Sequence, residues 1–159
     1  MIMDERTEFA DAVSVAAAAG TALIGDVIPL GSVARDIGQG QPVFLVITTD
    51  TEIITGGVAG TIKFQLVSDA QAAIAVDGTA TVHIDTGTFV TDDAAANSAQ
   101  LNAGGIIFAG PLPLEGNVYE AFLGILCVIA TTTVTAGKIN AFLTLDPPAS
   151  RKNYPEGVS

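Results

Sequence analysis

Three short segments of this chain alternate apolar with polar residues, as half-buried β-strands do. They cover residues 61–67, 79–85 and 138–146. A period of two places every second side chain on the same face of a strand. The apolar residues predicted to face inward are Ile62, Phe64 and Leu66 in the first segment, Ala80, Val82 and Ile84 in the second, and Ile139, Ala141, Leu143 and Leu145 in the third.

Two further segments, residues 42–49 and 118–132, are apolar with little alternation, which is typical of central strands covered on both faces. Turns rich in glycine, proline and aspartate separate the strands. Together these patterns predict an all-β, single-domain, jelly-roll-like β-sandwich with little helix. Helix is plausible only over the alanine-rich residues 8–19 and over residues 92–101, and the second segment could equally be a surface loop.

The length favours one domain spanning residues 1–159, with loose arms at about residues 1–11 and 147–159. The small apolar stretch at residues 12–24 follows four acidic residues opposed only by Arg6, which is the wrong charge for the start of a signal peptide. It is also too short to cross a membrane. We therefore expect no membrane partner.

Acidic residues outnumber basic residues by 17 to 6, which gives a formal net charge of −11. Because a chain this acidic offers no basic patch to neutralise phosphates, we expect no nucleic-acid partner. Apolar residues make up 49% of the chain and charged residues only 14%, with a mean hydropathy of +0.52. This apolar surplus indicates that a partner covers part of the surface.

Few residues offer catalytic or metal-binding chemistry. Cys127 is the only cysteine and lies in a continuous apolar run, which predicts a buried free thiol. His83 and Asp85 are predicted to share one strand face, where they could supply two metal ligands or a base and its carboxylate. The sequence adds no third ligand or nucleophile motif, and the acidic pairs at residues 50/52 and 92/93 lack the spacing of a calcium loop. We therefore expect no enzyme, no metal and no cofactor.

Several blocks of the sequence resemble the small capsid cement proteins, also called decoration proteins, of tailed bacteriophages. The blocks are residues 1–15, 26–31, 31–50, 64–74 and 135–146. Residues 31–50, GSVARDIGQGQPVFLVITTD, carry an Arg-Asp-Ile-Gly turn followed by an aliphatic strand. The last block, TAGKINAFLTLD, is similar to the closing strand of the family, and a tail with a tyrosine follows it. Residues 76–116 depart from the family pattern.

The resemblance implies a structural virion protein. Such proteins are jelly rolls on the outer surface of a capsid shell of the HK97 type, where they clamp neighbouring major capsid subunits. The implied partners are the major capsid protein and further copies of this chain, as a homodimer or a trimer. The protein would be made in the host cytoplasm and located on the outer surface of the virion capsid.

The two terminal arms are the predicted contact regions of such a protein, because flexible ends that order on binding add contact area. The predicted capsid or subunit interface residues are Ile2, Met3 and Phe9 in the first arm, and Arg151, Lys152 and Tyr154 in the second. The main alternative is a β-sandwich module that binds carbohydrate or another ligand. An enzyme on a sandwich fold and an interaction protein outside viruses are further alternatives.

Overall fold

The computed structural model describes residues 5–30, 42–92, 96–114 and 116–146. These residues form two antiparallel sheets that pack face to face, together with two single-turn 3₁₀ helices at Glu5–Thr7 and Ala99–Leu101. The first sheet contains β1 (Glu8–Ser14), β3 (Phe44–Ile54), β7 (Ile106–Pro111) and β9 (Ala136–Thr144). The second contains β2 (Gly20–Pro29), β4 (Gly60–Asp69), β5 (Thr81–Asp85), β6 (Phe89–Thr91) and β8 (Phe122–Ala130).

The strand order is that of a jelly roll. The first sheet runs β1-β9-β3-β7 and the second runs β2-β8-β4-β5, so that the chain crosses from one sheet to the other at most connections. The short strand β6 follows β5 along the same side of β4 and pairs with Gly60–Ile62 at the start of that strand. The predicted all-β jelly-roll sandwich is confirmed.

The core lies between the sheets and is built from the alternating positions that the sequence indicated. Phe64 and Leu66 of β4 and Ile139 and Ala141 of β9 are fully buried in it. Strand β8 is buried along nearly its whole length, since both of its faces are covered. A second, smaller cluster on the outer face of the second sheet contains Val67, Ile74, Ala80 and Leu126.

A β-bulge in β5 places Val82 on the opposite face from the one predicted from the sequence. The pairing of β5 with β4 shifts register between Leu66 and Val67, which leaves His83 as an extra residue. Because one extra residue reverses the facing of the side chains that precede it, Ile84 points into the core whereas Val82 lies exposed on the outer face. Leu145, also predicted to point inward, is exposed because β9 ends at Thr144.

The N-terminal segment differs most from the sequence prediction. Residues 8–14 form strand β1 rather than a helix, because pairing with β9 outweighs the weak helical preference of alanine. The backbone N–H of Ala12 also donates to the Asn140 side chain of β9 over 2.6 Å. The loose arm predicted over residues 1–11 is therefore wrong from residue 8 onward. The predicted arm at residues 147–159 and the Arg35–Gly38 turn lie outside the described residues.

The sandwich has two different ends. The loop end carries the connection between β7 and β8, residues 112–121, hereafter the β7–β8 loop; Phe44 pairs there with Pro111 and Thr144. The turn end lies opposite and carries residues 15–19, 55–59 and 131–135, which connect β1 to β2, β3 to β4 and β8 to β9. No helix in the described part of the chain has the length and apolar character to span a membrane.

Candidate functional site

A polar cluster at the loop end joins β4, β5 and the β7–β8 loop. The Ser68 hydroxyl lies 2.7 Å from Nε2 of His83, and it accepts a hydrogen bond from the backbone N–H of Glu120 over 3.1 Å. The Thr81 hydroxyl donates to the Glu120 carboxylate over 2.7 Å. The imidazole ring of His83 stacks on Tyr119, with ring centres 3.9 Å apart and planes inclined by 17°. The strand bulge at His83 is what turns this ring towards the loop.

The neighbours of His83 favour its neutral form. The buried Ser68 hydroxyl needs an acceptor for its proton, and Nε2 of His83 lies within reach, so we assign Nε2 as the acceptor of a neutral imidazole. Burial lowers the pKa of His83, and the charge of Glu120 opposes this effect only in part. We therefore expect the imidazole of His83 to be uncharged at neutral pH.

The Ser68–His83 pair resembles a nucleophile with its general base, but its geometry does not suit that role. Ser68 is 0% exposed, so that a substrate carbonyl has no route to its oxygen. The hydroxyl is also engaged by the Glu120 N–H, which ties the β7–β8 loop to β4. What the arrangement does physically is brace that loop against the sandwich.

The structure separates His83 from Asp85, which the sequence placed on a shared face. The Asp85 carboxylate accepts hydrogen bonds from Lys63 at 2.8 Å, Gln65 at 2.7 Å and the Gly87 N–H at 2.9 Å. Burial alone would raise the pKa of Asp85, but the hydrogen bonds from Lys63 and Gln65 outweigh it and the pKa is lowered. Among the described residues, no three His, Cys, Asp or Glu side chains converge as a metal site would require.

Cys127 lies inside β8 in the main core, where the sequence predicted a buried free thiol. Burial raises the pKa of Cys127 to about 12. The thiolate that would act as a nucleophile or metal ligand is therefore strongly disfavoured in the folded protein.

Of the six predicted interface residues, the structure describes one. Phe9 is 0% exposed and packs in the core from β1, so its assignment to a surface contact is wrong. A phenyl ring at an inward position of an edge strand fills the sandwich rather than reaching a partner. Ile2, Met3, Arg151, Lys152 and Tyr154 lie outside the described residues.

The β7–β8 loop, which no pattern in the sequence marks as a site, exposes two apolar side chains. Leu114 is 92% exposed and Val118 is 84% exposed, the highest values among the large apolar residues described. Both legs of the loop are tethered: the Tyr119 hydroxyl donates to the Pro113 carbonyl over 3.2 Å, and the Leu112 N–H donates to the Val43 carbonyl over 2.7 Å. The available signal was an isolated leucine and valine among proline, glycine and asparagine, outside any alternating segment.

Comparison with known families places the whole sandwich in one of them. The family model named Bbp16 matches residues 9–143, which run from the second residue of β1 to the penultimate residue of β9. A search of curated proteins finds no match. Because the match covers all nine strands, it applies to the complete fold rather than to one motif. The chain belongs to the Bbp16 family, whose name indicates a phage-related protein.

Proposed function

We propose that this protein is a structural component of a bacteriophage virion, bound to the outer surface of the capsid, where it cements neighbouring major capsid subunits. The proposed partner is a major capsid protein with an HK97-type fold, and further copies of this chain, as a dimer or trimer, complete the contact. In this role the protein acts by binding and not by catalysis.

The match of the complete sandwich to a phage-related family is the observation that carries the proposal. The cement-like sequence blocks add support, since residues 135–146 correspond to β9 and the residues that flank it. The physical character of the chain is also suitable. A net charge of −11 keeps the free protein soluble and away from DNA, while its apolar surplus provides area for a protein contact.

The site chemistry favours this role over the alternatives. The hydrogen bonds of the polar cluster at the loop end hold the β7–β8 loop against the sandwich. Ser68 is buried and therefore inaccessible to a substrate. A carbohydrate module needs an exposed aromatic face, but one face of the Tyr119 ring is occupied by His83. The braced loop and its exposed apolar residues suit a protein contact better than either alternative.

Sedimentation of particles from the source phage through a density gradient tests the proposal directly. We expect mass spectrometry of the particle band to find this chain in near-stoichiometric ratio to the major capsid protein. Purified particles that lack the chain should regain it on mixing and should then resist heating better than untreated particles. Recovery of the chain only in the soluble fraction would reject the cement role.

Truncation of the chain tests whether the C-terminal arm contributes to particle binding in addition to the sandwich. We expect a chain lacking residues 147–159 to bind particles more weakly than the full chain if the Arg151, Lys152 and Tyr154 contacts exist. Full retention of binding would restrict the contact to the rest of the protein. The truncated chain should keep its unfolding midpoint, because β9 ends before the deleted segment.

A further inference from the structure

The β7–β8 loop is held by backbone bonds at its two ends and by side chains between them. At one end the Leu112 N–H donates to the Val43 carbonyl over 2.7 Å, and at the other the Leu30 N–H donates to the Ala121 carbonyl over 2.7 Å. These bonds join main-chain groups, so they do not depend on any titratable side chain. Between the two ends, the described contacts of the loop all involve side chains of the polar cluster.

His83 lies at the centre of these side-chain contacts. Its ring stacks on Tyr119 with ring centres 3.9 Å apart, and its Nε2 lies 2.7 Å from the Ser68 hydroxyl. The oxygen of that hydroxyl accepts the Glu120 N–H over 3.1 Å. A change of charge on the imidazole therefore acts directly on two adjacent residues of the loop.

Protonation of His83 changes Nε2 from an acceptor into a donor. In the neutral form, the Ser68 hydroxyl donates its proton to Nε2 and accepts from the Glu120 N–H. In the protonated form, two N–H groups donate towards the Ser68 oxygen, and the proton of the hydroxyl loses its acceptor. Because Ser68 is fully buried, water can replace that acceptor only if the loop moves away.

The charges around His83 determine which loop position acid favours. Burial lowers the pKa of His83, and the carboxylate of Glu120 opposes this effect only in part, while Tyr119 is uncharged in this range. The ring therefore binds a proton less readily when the loop is closed over it than when it is solvated. By linkage, a falling pH shifts the equilibrium towards the open loop.

The other acidic groups of the neighbouring elements are engaged elsewhere. Asp69 on β4 and Asp77 in the following loop accept hydrogen bonds within their own turns, and Asp85 on β5 is held by the lysine and glutamine of β4. Hydrogen bonds outweigh burial at all three carboxylates and lower their pKa values from 3.8, so they stay charged in mild acid. Glu115 belongs to the same loop and lies outside the described residues. A substitution at Glu115 separates its contribution from that of His83.

We infer that His83 is a pH-sensitive latch of the β7–β8 loop: the neutral imidazole holds residues 119 and 120 against the sandwich, and protonation in mild acid releases them. The backbone bonds at Leu112 and Ala121 persist, so the stretch between them moves while the sandwich stays folded. The inference concerns this chain alone and goes beyond the proposed function.

Amide hydrogen exchange, followed by NMR between about pH 7.5 and 5, tests the latch. Because His83 is the only histidine of the chain, the signals of its ring report its titration without overlap. The measured quantity is the protection factor, which corrects each exchange rate for the effect of pH on an unfolded chain. We expect the protection factor of the Glu120 N–H to fall about fivefold or more, with the midpoint of the His83 titration. The Leu112 and Leu30 N–H groups should keep their protection.

Three variants identify the group that senses pH. His83→Gln keeps an acceptor for the Ser68 hydroxyl and cannot take up a proton in this range, so the protection of the Glu120 N–H should stay constant. Glu120→Gln keeps an acceptor for the Thr81 hydroxyl but removes the charge that favours the imidazolium, so the midpoint should move to lower pH. Glu115→Gln is the matched control, since it removes a carboxylate from the same loop, and it should leave the midpoint unchanged.

The other outcomes overturn the latch. Constant protection of the Glu120 N–H in the wild type, or an equal loss in His83→Gln, would show that His83 does not hold the loop. A parallel loss at the Thr135 N–H, which belongs to the turn end, would mean that the whole sandwich opens. Loss of the pH dependence in Glu115→Gln would make that carboxylate the sensor. None of these results affects whether the chain is found in virus particles, so the latch and the cement role fail separately.

Discussion

The two ends of the sandwich are built by different means. At the turn end, backbone groups bond to backbone groups: the Val134 N–H donates to the Ala17 carbonyl over 3.0 Å, and the Thr135 N–H to the Ile54 carbonyl over 2.9 Å. At the loop end, side chains do most of the bracing, through Ser68, His83 and Tyr119. Hydroxyl groups of Thr55 and Thr135 add to the backbone bonds of the turn end, but the stacked ring pair and the buried serine that holds a loop occur at the loop end.

This difference indicates where the protein can acquire function. Backbone bonds tolerate many side chains, so a turn built from them needs little beyond residues that accept its dihedral angles. The loop end instead uses a histidine, a tyrosine and a buried serine to hold a connection that a plain turn could have made. Side-chain bracing gives a long loop a fixed shape, which a binding surface requires and a simple connection does not.

The largest effect is expected at the turn end, from Gly137→Ala. Gly137 has a φ of +144°, and an added Cβ would lie 2.8 Å from Cα of Ile53. Backbone strain and the clash together should lower the free energy of unfolding by roughly 2–5 kcal/mol. Urea denaturation measures this loss, and the folded fraction should bind particles as the wild type does.

Gly57→Ala is the control for that substitution. Gly57 also has a positive φ, +86°, but an added Cβ would meet no atom within 4 Å. We expect strain alone, a loss of about 1 kcal/mol. Equal losses for the two variants would show that the contact with Ile53 is not the cause.

Ser68→Ala should produce the next largest effect and tests the loop end. It leaves Nε2 of His83 and the N–H of Glu120 without their partner, which should cost about 1–3 kcal/mol of unfolding free energy. The matched change at the turn end is Thr55→Val, which removes the 2.6 Å bond from the Thr55 hydroxyl to the Val58 carbonyl and should cost about 0.5–1.5 kcal/mol. Only Ser68→Ala should also weaken particle binding; weakening by both variants would remove the distinction between the ends.

The turn end and the strands were largely predictable from sequence, and the loop end was not. Alternation at Ile62, Phe64 and Leu66 marks a strand face because burial follows the same period as the backbone. A bulge has no such period, so the sequence of β5 alone does not show that Val82 points to the outer face. That orientation follows only from the pairing of β5 with β4. Phe9 illustrates the same limit: its place in a core strand depends on β9, more than 120 residues away in sequence.

The candidate site was missed for a related reason. Ser68, His83 and Tyr119 lie on three separate segments, and no spacing along the chain signals that they meet. The alternation of residues 79–85 predicts that His83 pairs with Asp85, because it places both side chains on one face. The bulge at His83 carries its ring away from that face and towards the loop.

Tyr119→Phe should produce a smaller effect, confined to the β7–β8 loop. It removes the hydroxyl that donates to Pro113 and keeps the ring stacked on His83, so the unfolding free energy should fall by less than about 1 kcal/mol. Particle binding should weaken by roughly two- to fivefold, because the loop must then be ordered on binding. Tyr154→Phe removes the same group from the other tyrosine of the chain. A larger effect there would move the main contact to the C-terminal arm.

The smallest expected effect is a pH dependence that belongs to His83 alone. Its folded pKa is lowered from 6.5 by burial, so the unfolded chain binds more protons in the window below pH 6.5. Stability should therefore fall as the pH drops through about 6.5 and level off below the folded pKa. Glu120 is the charged group that opposes this shift, and Tyr119 stacks on the ring without charge in this range.

His83→Gln isolates this contribution, because it keeps a hydrogen-bond acceptor for Ser68 and cannot take up a proton near neutral pH. The lowered pKa values of Asp69, Asp77 and Asp85 act around and below pH 3.8, outside the window, and they are common to both proteins. Between about pH 7.5 and 5, the wild type should lose more unfolding free energy than the variant. Parallel curves of unfolding free energy against pH for the two proteins would mean that His83 is solvated like a surface histidine. The loop end would then be braced by Tyr119 and Ser68 without a contribution from His83.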